Sequence, residues 1–171
     1  MKKIGLAILY FLLFILFFVV FMPKDYLYYK TEHILKDYGL IVSNEKVKDR
    51  FLSLSVKDGD IFIQGVKAGY VDVIDIYPDI VFNAVVIKGF KSNKNISLIP
   101  PIDLEELLFM YTPFYPFKVS IKANSSFGKM EGFIDLKDKK VVIDIFGEPK
   151  TRGLIRLKKI NKRHYRYESK F

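Results

Sequence analysis

The chain has 171 residues, with 28 basic and 19 acidic side chains, a net charge of +9 and no cysteine. Without a thiol it can hold no disulfide, no thiolate metal site and no cysteine nucleophile, and an oxidising compartment costs it nothing. Once an apolar N-terminal stretch is set aside, the remaining length suits one domain with a real core.

Residues 4–22 carry no charge and almost no polarity. At about 1.5 Å per residue they cover roughly 28 Å, close to the roughly 30 Å hydrocarbon core of a bilayer. A cleaved signal peptide is the rival reading, because Lys2 and Lys3 precede the run. The run exceeds the roughly 7–15 residues of a signal core, and residues 21–28 lack a small-x-small cleavage pattern, which favours a retained span. Lysines flank both ends (Lys2 and Lys3, Lys24 and Lys30), but a three-residue stub stays inside more easily than a large folded domain. The expected layout is a cytoplasmic stub (1–3), a transmembrane helix (4–22), a juxtamembrane helix (23–39) and a β-rich domain (40–171). That domain would lie in the periplasm, with the span in a bacterial inner membrane.

After the span, residues 24–38 read as a helix with Leu27, Thr31, Ile34, Leu35 and Tyr38 on one face, and Gly39 placed for a left-handed cap. Tyr26, Tyr28 and Tyr29 suit headgroup level, where a ring can be apolar and its hydroxyl wet. From Leu40 the period changes to two. Residues 51–56 alternate, Asp58-Gly59 signals a hairpin, and residues 61–64 alternate again. Extended runs follow at 69–77 and 80–90 around a Tyr77-Pro78-Asp79 turn, the second apolar enough for a central strand covered on both faces. Asp72 and Asp75, three apart, fall on opposite strand faces and read as solvated or bulged positions rather than a catalytic pair.

A polar loop (91–95) and a short extended piece (96–99) lead to Pro100-Pro101. A helix is expected after it, capped by Asp103, with Leu104, Leu107, Leu108 and Tyr111 as its apolar side and Pro113 as its stop. Tyr111, Phe114, Tyr115 and Phe117 form an aromatic and proline cluster, a candidate docking patch or a plug for the end of a sheet. Strands return at 117–123, 128–136, 141–146, 153–158 and 165–171, with Asp138-Lys139-Lys140 closing a hairpin. The last alternates Tyr165, Tyr167, Ser169 and Phe171 against His164, Arg166, Glu168 and Lys170, as a half-buried edge strand would. The fold class expected is therefore a mainly β ectodomain behind one N-terminal transmembrane helix. It would be a curved antiparallel sheet with one juxtamembrane and one inserted helix.

Charge is uneven: residues 150–171 hold nine basic side chains against Glu168 alone. Lys158, Lys159, Lys162, Arg163 and Arg166 with Tyr165 and Tyr167 superficially match a nucleic-acid platform, but the compartment argues against nucleic acid. Anionic headgroups or an acidic patch on a neighbouring protein suit these residues better, beside a plain solvated edge. His33 and His164 stand without a ligand motif, and no phosphate loop, nucleophile elbow or metalloprotease signature occurs. Gly128 and Gly132 lie between strands, where no helix dipole supports a phosphate cradle. No catalytic residue, metal site or cofactor is expected, and the chain reads as a non-enzyme.

The succession of anchor, short helix and strands resembles the type II secretion system protein N family, itself similar to AsmA-like periplasmic domains. The likeness is carried by Gly69-Tyr70-Val71-Asp72-Val73-Ile74-Asp75-Ile76-Tyr77-Pro78, by Val119-Ser120-Ile121-Lys122-Ala123, and by Gly128-Lys129-Met130-Glu131-Gly132-Phe133-Ile134-Asp135-Leu136. The resemblance implies a structural or assembly component of a secretion or pilus-type envelope machine, with other envelope proteins as partners. An AsmA-like sheet implies the alternative, lipid binding or transfer through an apolar groove lined by phenylalanine and isoleucine.

Overall fold

A computed structural model describes residues 2–93, 102–148 and 157–171. Among the described residues, two helices precede a single antiparallel sheet of eleven strands. Helix α1 (Lys2–Phe21) is exposed on nearly every side and is long and apolar enough to cross a membrane. Pro23 breaks it, and α2 (Lys24–Asp37) follows at once, ending where Gly39 takes φ +79 and its amide returns to the Lys36 carbonyl at 2.9 Å. The capping glycine does what its position in the sequence predicts.

The strands are β1 (Leu40–Ser43), β2 (Lys46–Asp49), β3 (Leu54–Ile63), β4 (Val66–Tyr77), β5 (Asn83–Ser92), β6 (Asp103–Tyr111), β7 (Lys118–Ser125), β8 (Gly128–Asp135), β9 (Lys140–Phe146), β10 (Leu157–Asn161) and β11 (His164–Lys170). From β3 to β9 each pairs with its successor in the chain, while β11 folds back between β9 and β10. At the other end, β1 and β2 share the outer side of β3, opposite residues 60–63 and 54–57. Helix α2 lies against these first strands, where Tyr28, Leu54 and Val56 form the buried core with Val47, Ile74 and Ile76 around it.

Four expectations are corrected. Asp58-Gly59 is not a turn: β3 continues through it, and the reversal is at Gln64 (φ 51) and Gly65 (φ 78). Asp58 keeps the left-handed backbone (φ 60) that Asp tolerates, and so do Asn44 (φ 64) in the first β1/β2 edge and Gly89 (φ 65) in β5. These positions fall close to one line across neighbouring strands and crease the sheet there. Across the crease the in-out alternation changes parity, so Leu54 and Ile61 line one cavity although an odd number of positions separates them. The segment expected as an inserted helix is strand β6, paired along its length with β5 and β7. Strand β11 is interior, and the edge belongs to β10. Asp75 is not solvated but buried, accepting a 2.7 Å hydrogen bond from the Ser55 hydroxyl, whereas Asp72 is exposed on the other face. Strand β5 is central as expected, yet Lys88 remains exposed, so its second face is not fully covered. The short extended piece at 96–99 and most of the one at 153–158 lie outside the described residues.

Candidate functional site: an apolar face joined to a cavity beside the second helix

Register converts the strand pattern into two chemically different faces. One row of directly opposed residues runs Leu54, Ile76, Val85, Phe109, Ile121, Gly132, Ile143, Tyr167, Leu157. The parallel row on the same face runs Val56, Ile74, Ile87, Leu107, Ala123, Met130, Ile145, Tyr165. Neither contains a charge. At about 4.8 Å per strand, the eight strands from β3 to β11 carry these rows across roughly 34 Å. The reverse face is polar: Ser55, Asp75, Val86, Leu108, Lys122, Glu131, Asp144, Arg166 and Lys158 form its corresponding row.

The apolar rows line a cavity where they cross β4 and β5, and the first row lines it from Leu54 on β3. Between α2 and strands β1, β3, β4 and β5 lies a space of about 440 Å³, walled by Leu27, Tyr28, Leu35, Val42, Ile61, Ile74, Ile76, Val85 and Ile87. Its polar wall is restricted to Lys24, Thr31 and Glu32, with the Tyr28 hydroxyl bonded away to Glu45 at 3.5 Å. Burial, then the Glu45 carboxylate, pushes the Tyr28 phenol far up, so it stays neutral. Burial and the Glu45 charge likewise raise Glu32, against the pull of Lys36. Such a wall suits a ligand that is hydrocarbon for most of its length.

Lys24 fixes this cavity to the end of α1. Its ammonium is buried, 3.2 Å from Asp49 Oδ1 and 3.4 Å from the Val20 carbonyl, so one residue ties the apolar helix, α2 and β2 together.

The sequence-predicted sites fare differently. The basic group is not brought together: Arg166 and Lys158 oppose each other on the polar face, Tyr165 and Lys159 oppose each other on the apolar one, and Lys162 and Arg163 occupy the β10–β11 turn. Arg166 is committed to Asp144, through Nε and Nη2 at 2.9 Å each, with His164 Nε2 at 2.8 Å on the same carboxylate. Arg166, then His164, holds the Asp144 carboxyl below the ordinary aspartate range. Arg163 meets Glu148 at 3.5 Å in the open. Lys158, Lys159 and Lys162 are exposed.

The aromatic cluster divides as well. Tyr111 stands half-buried between Asn83 and Val119, while Phe114, Tyr115 and Phe117 project from the β6–β7 connection, so they do not plug the sheet. The apolar rows themselves were hidden from sequence reasoning, because cross-strand register decides which residues share a face. Among the described residues no group of three or more His, Asp or Glu side chains could hold a metal ion. Comparison with family models, with curated proteins and with solved structures gives no match for this chain.

Proposed function

We propose that this protein is a membrane-anchored lipid-handling protein whose sheet takes acyl chains along its apolar face, with headgroups left toward water. Supporting this reading is one observation above the others: two uncharged rows that line the cavity beside α2 and continue, strand by strand, to Tyr165 and Tyr167. A soluble sheet with one polar and one apolar face ordinarily buries the latter under a second layer. Here α2 packs on β1 and β2, and among the described residues no other helix lies on the rest, where Ile121, Ala123 and Ile145 are buried and Phe109 and Ile143 are partly exposed. With α1 spanning the inner membrane and the sheet in the periplasm, a chain leaving the outer leaflet would reach the cavity at Lys24 first. The mechanism needs no chemistry, only apolar surface in exchange for water.

The test is binding of a fluorescent fatty acid to the full-length protein held in an amphipathic polymer. Ile143→Glu, well beyond the cavity in the first row, is expected to weaken binding about tenfold or more while leaving the β-sheet circular dichroism intact. Unchanged affinity would refute the reading.

A second reading, an assembly component of a secretion or pilus-type machine, draws support from strand β10. It is an edge, with its residues from Lys158 to Asn161 exposed, and an edge offers backbone donors and acceptors to a partner's strand. Lys158 and Lys159 would favour an acidic strand and oppose self-pairing.

A further inference from the structure

The connections at the two ends of the strands differ in character. At one end lie residues 50–53, 78–82, 112–117 and 136–139, and they present Phe114 (76% exposed), Tyr115 (70%), Phe51 (67%), Phe117 (56%), Phe82 (45%) and Leu136 (44%) to solvent. Exposed aromatic side chains on three connections and Leu136 on the fourth form a rim rather than scattered residues. Hydrogen bonds tie that rim together: Thr112 Oγ1 donates to the Val81 carbonyl at 3.0 Å, and the Leu136 amide donates to the Phe117 carbonyl at 2.8 Å. Arg50, Lys137 and Lys139 stand exposed among the apolar groups. At the opposite end the turns among the described residues are Gln64-Gly65, Ser125-Ser126-Phe127 and Asn161-Lys162-Arg163; Phe127 is turned in and buried, and the exposed apolar groups there, Tyr38, Ile63, Val66 and Phe146, sit at element ends rather than on these turns.

The apolar rim is the end from which α1 departs. Lys24, three residues after the last residue of α1, is paired with Asp49, next to the 50–53 connection. Helix α2 then runs to the far end, where the Gln64 amide donates to the Gly39 carbonyl at 2.6 Å. Any bilayer that receives α1 therefore faces Phe51, Phe82, Phe114, Tyr115, Phe117 and Leu136.

We propose that the rim is a second membrane contact, with its aromatic tips inserted at the interface of the bilayer that α1 crosses and with Arg50, Lys137 and Lys139 against anionic headgroups. The occupant is lipid because the rim continues the surface already set by α1 and interleaves apolar rings with cations, the pairing that interfacial layers select. Rim insertion holds the sheet upright and places the cavity mouth at the leaflet. It does not require that lipid occupy the apolar face, so it can fail or succeed independently of that function.

The absence of native cysteine makes the test direct. Phe82→Cys, Tyr115→Cys and Leu136→Cys at the rim, and Gln64→Cys, Ser126→Cys and Lys162→Cys at the far end, are each labelled with an environment-sensitive fluorophore. The full-length variants are placed in vesicles of phosphatidylethanolamine and phosphatidylglycerol, with and without brominated acyl chains. Rim labels are expected to shift to the blue and to lose about half or more of their emission to the brominated chains, far-end labels to do neither. Three positions at each end keep the comparison intact if one variant fails to fold. Equal quenching at the two ends would overturn the inference, as would rim labels that are shielded in native envelopes but wet in pure lipid, which would assign the rim to a protein partner.

Discussion

Removing the two partners of the Lys24 to Asp49 pair, one at a time, should have unequal consequences. The Lys24 side chain is 2% exposed, whereas that of Asp49 is 48% exposed. In Asp49→Ala the ammonium stays in its buried place with only the Val20 carbonyl at 3.4 Å, and an uncompensated buried charge costs about 3 kcal/mol or more. In Lys24→Met the apolar stem is retained and the half-wet carboxylate returns to solvent, so the loss should be about 1 kcal/mol or less. The double variant should resemble Lys24→Met, because deleting the charge removes the reason for the pair. Urea unfolding of the full-length protein in neutral detergent, followed by the β-sheet circular dichroism, measures all four chains, with the slope m checked for constancy. Equal losses in the two single variants, or a larger one in Lys24→Met, would refute the reasoning and place the lysine in water.

Two further outcomes follow from close approaches and charge. Gly132 lies in the first apolar row, and a Cβ there would run into the Val142 carbonyl and come within 2.9 Å of Ile143 Cα. Both are backbone atoms of β9, so Gly132→Ala should destabilise by about 1–3 kcal/mol, read as a lower urea midpoint. Asp144 is held below the usual aspartate range by Arg166 and then His164, so its contribution is present above that range and is lost as pH falls through the depressed value. Asp144→Asn should accordingly flatten the acid limb of stability below about pH 4, and a limb identical to that of the parent would contradict the assignment.

Much of the molecule was legible in order but not in assembly. The apolar first helix, the second helix and its glycine stop could be read because helix signals are local. The segment at 103–111 misled because Leu, Glu and Met favour helices and both Leu107 and Leu108 are apolar, which hides the alternation. In the sheet, pairing with β5 and β7 overrides that weak preference. Asp58-Gly59 signalled a reversal because both residues tolerate a left-handed backbone. The chain uses that tolerance for a crease, and turns at Gln64-Gly65 instead. The alternation of β11 was correct, but whether it forms an edge depends on β10 folding outside it, and no pattern within β11 records that. The secretion-family resemblance rested on strand patterns with glycines, which specify sheet without specifying what the sheet touches. Face identity, and with it the candidate site, emerges only from register.

The proposed function requires above all that the apolar rows meet lipid. A photoreactive phenylalanine analogue introduced at Phe109, Ile121 or Ile143, and for contrast at Leu108, Lys122 or Glu131, is irradiated in intact envelopes and its adducts are identified by mass. Lipid adducts confined to the first three positions are the predicted result; lipid absent from all six, or spread evenly over both faces, would contradict it.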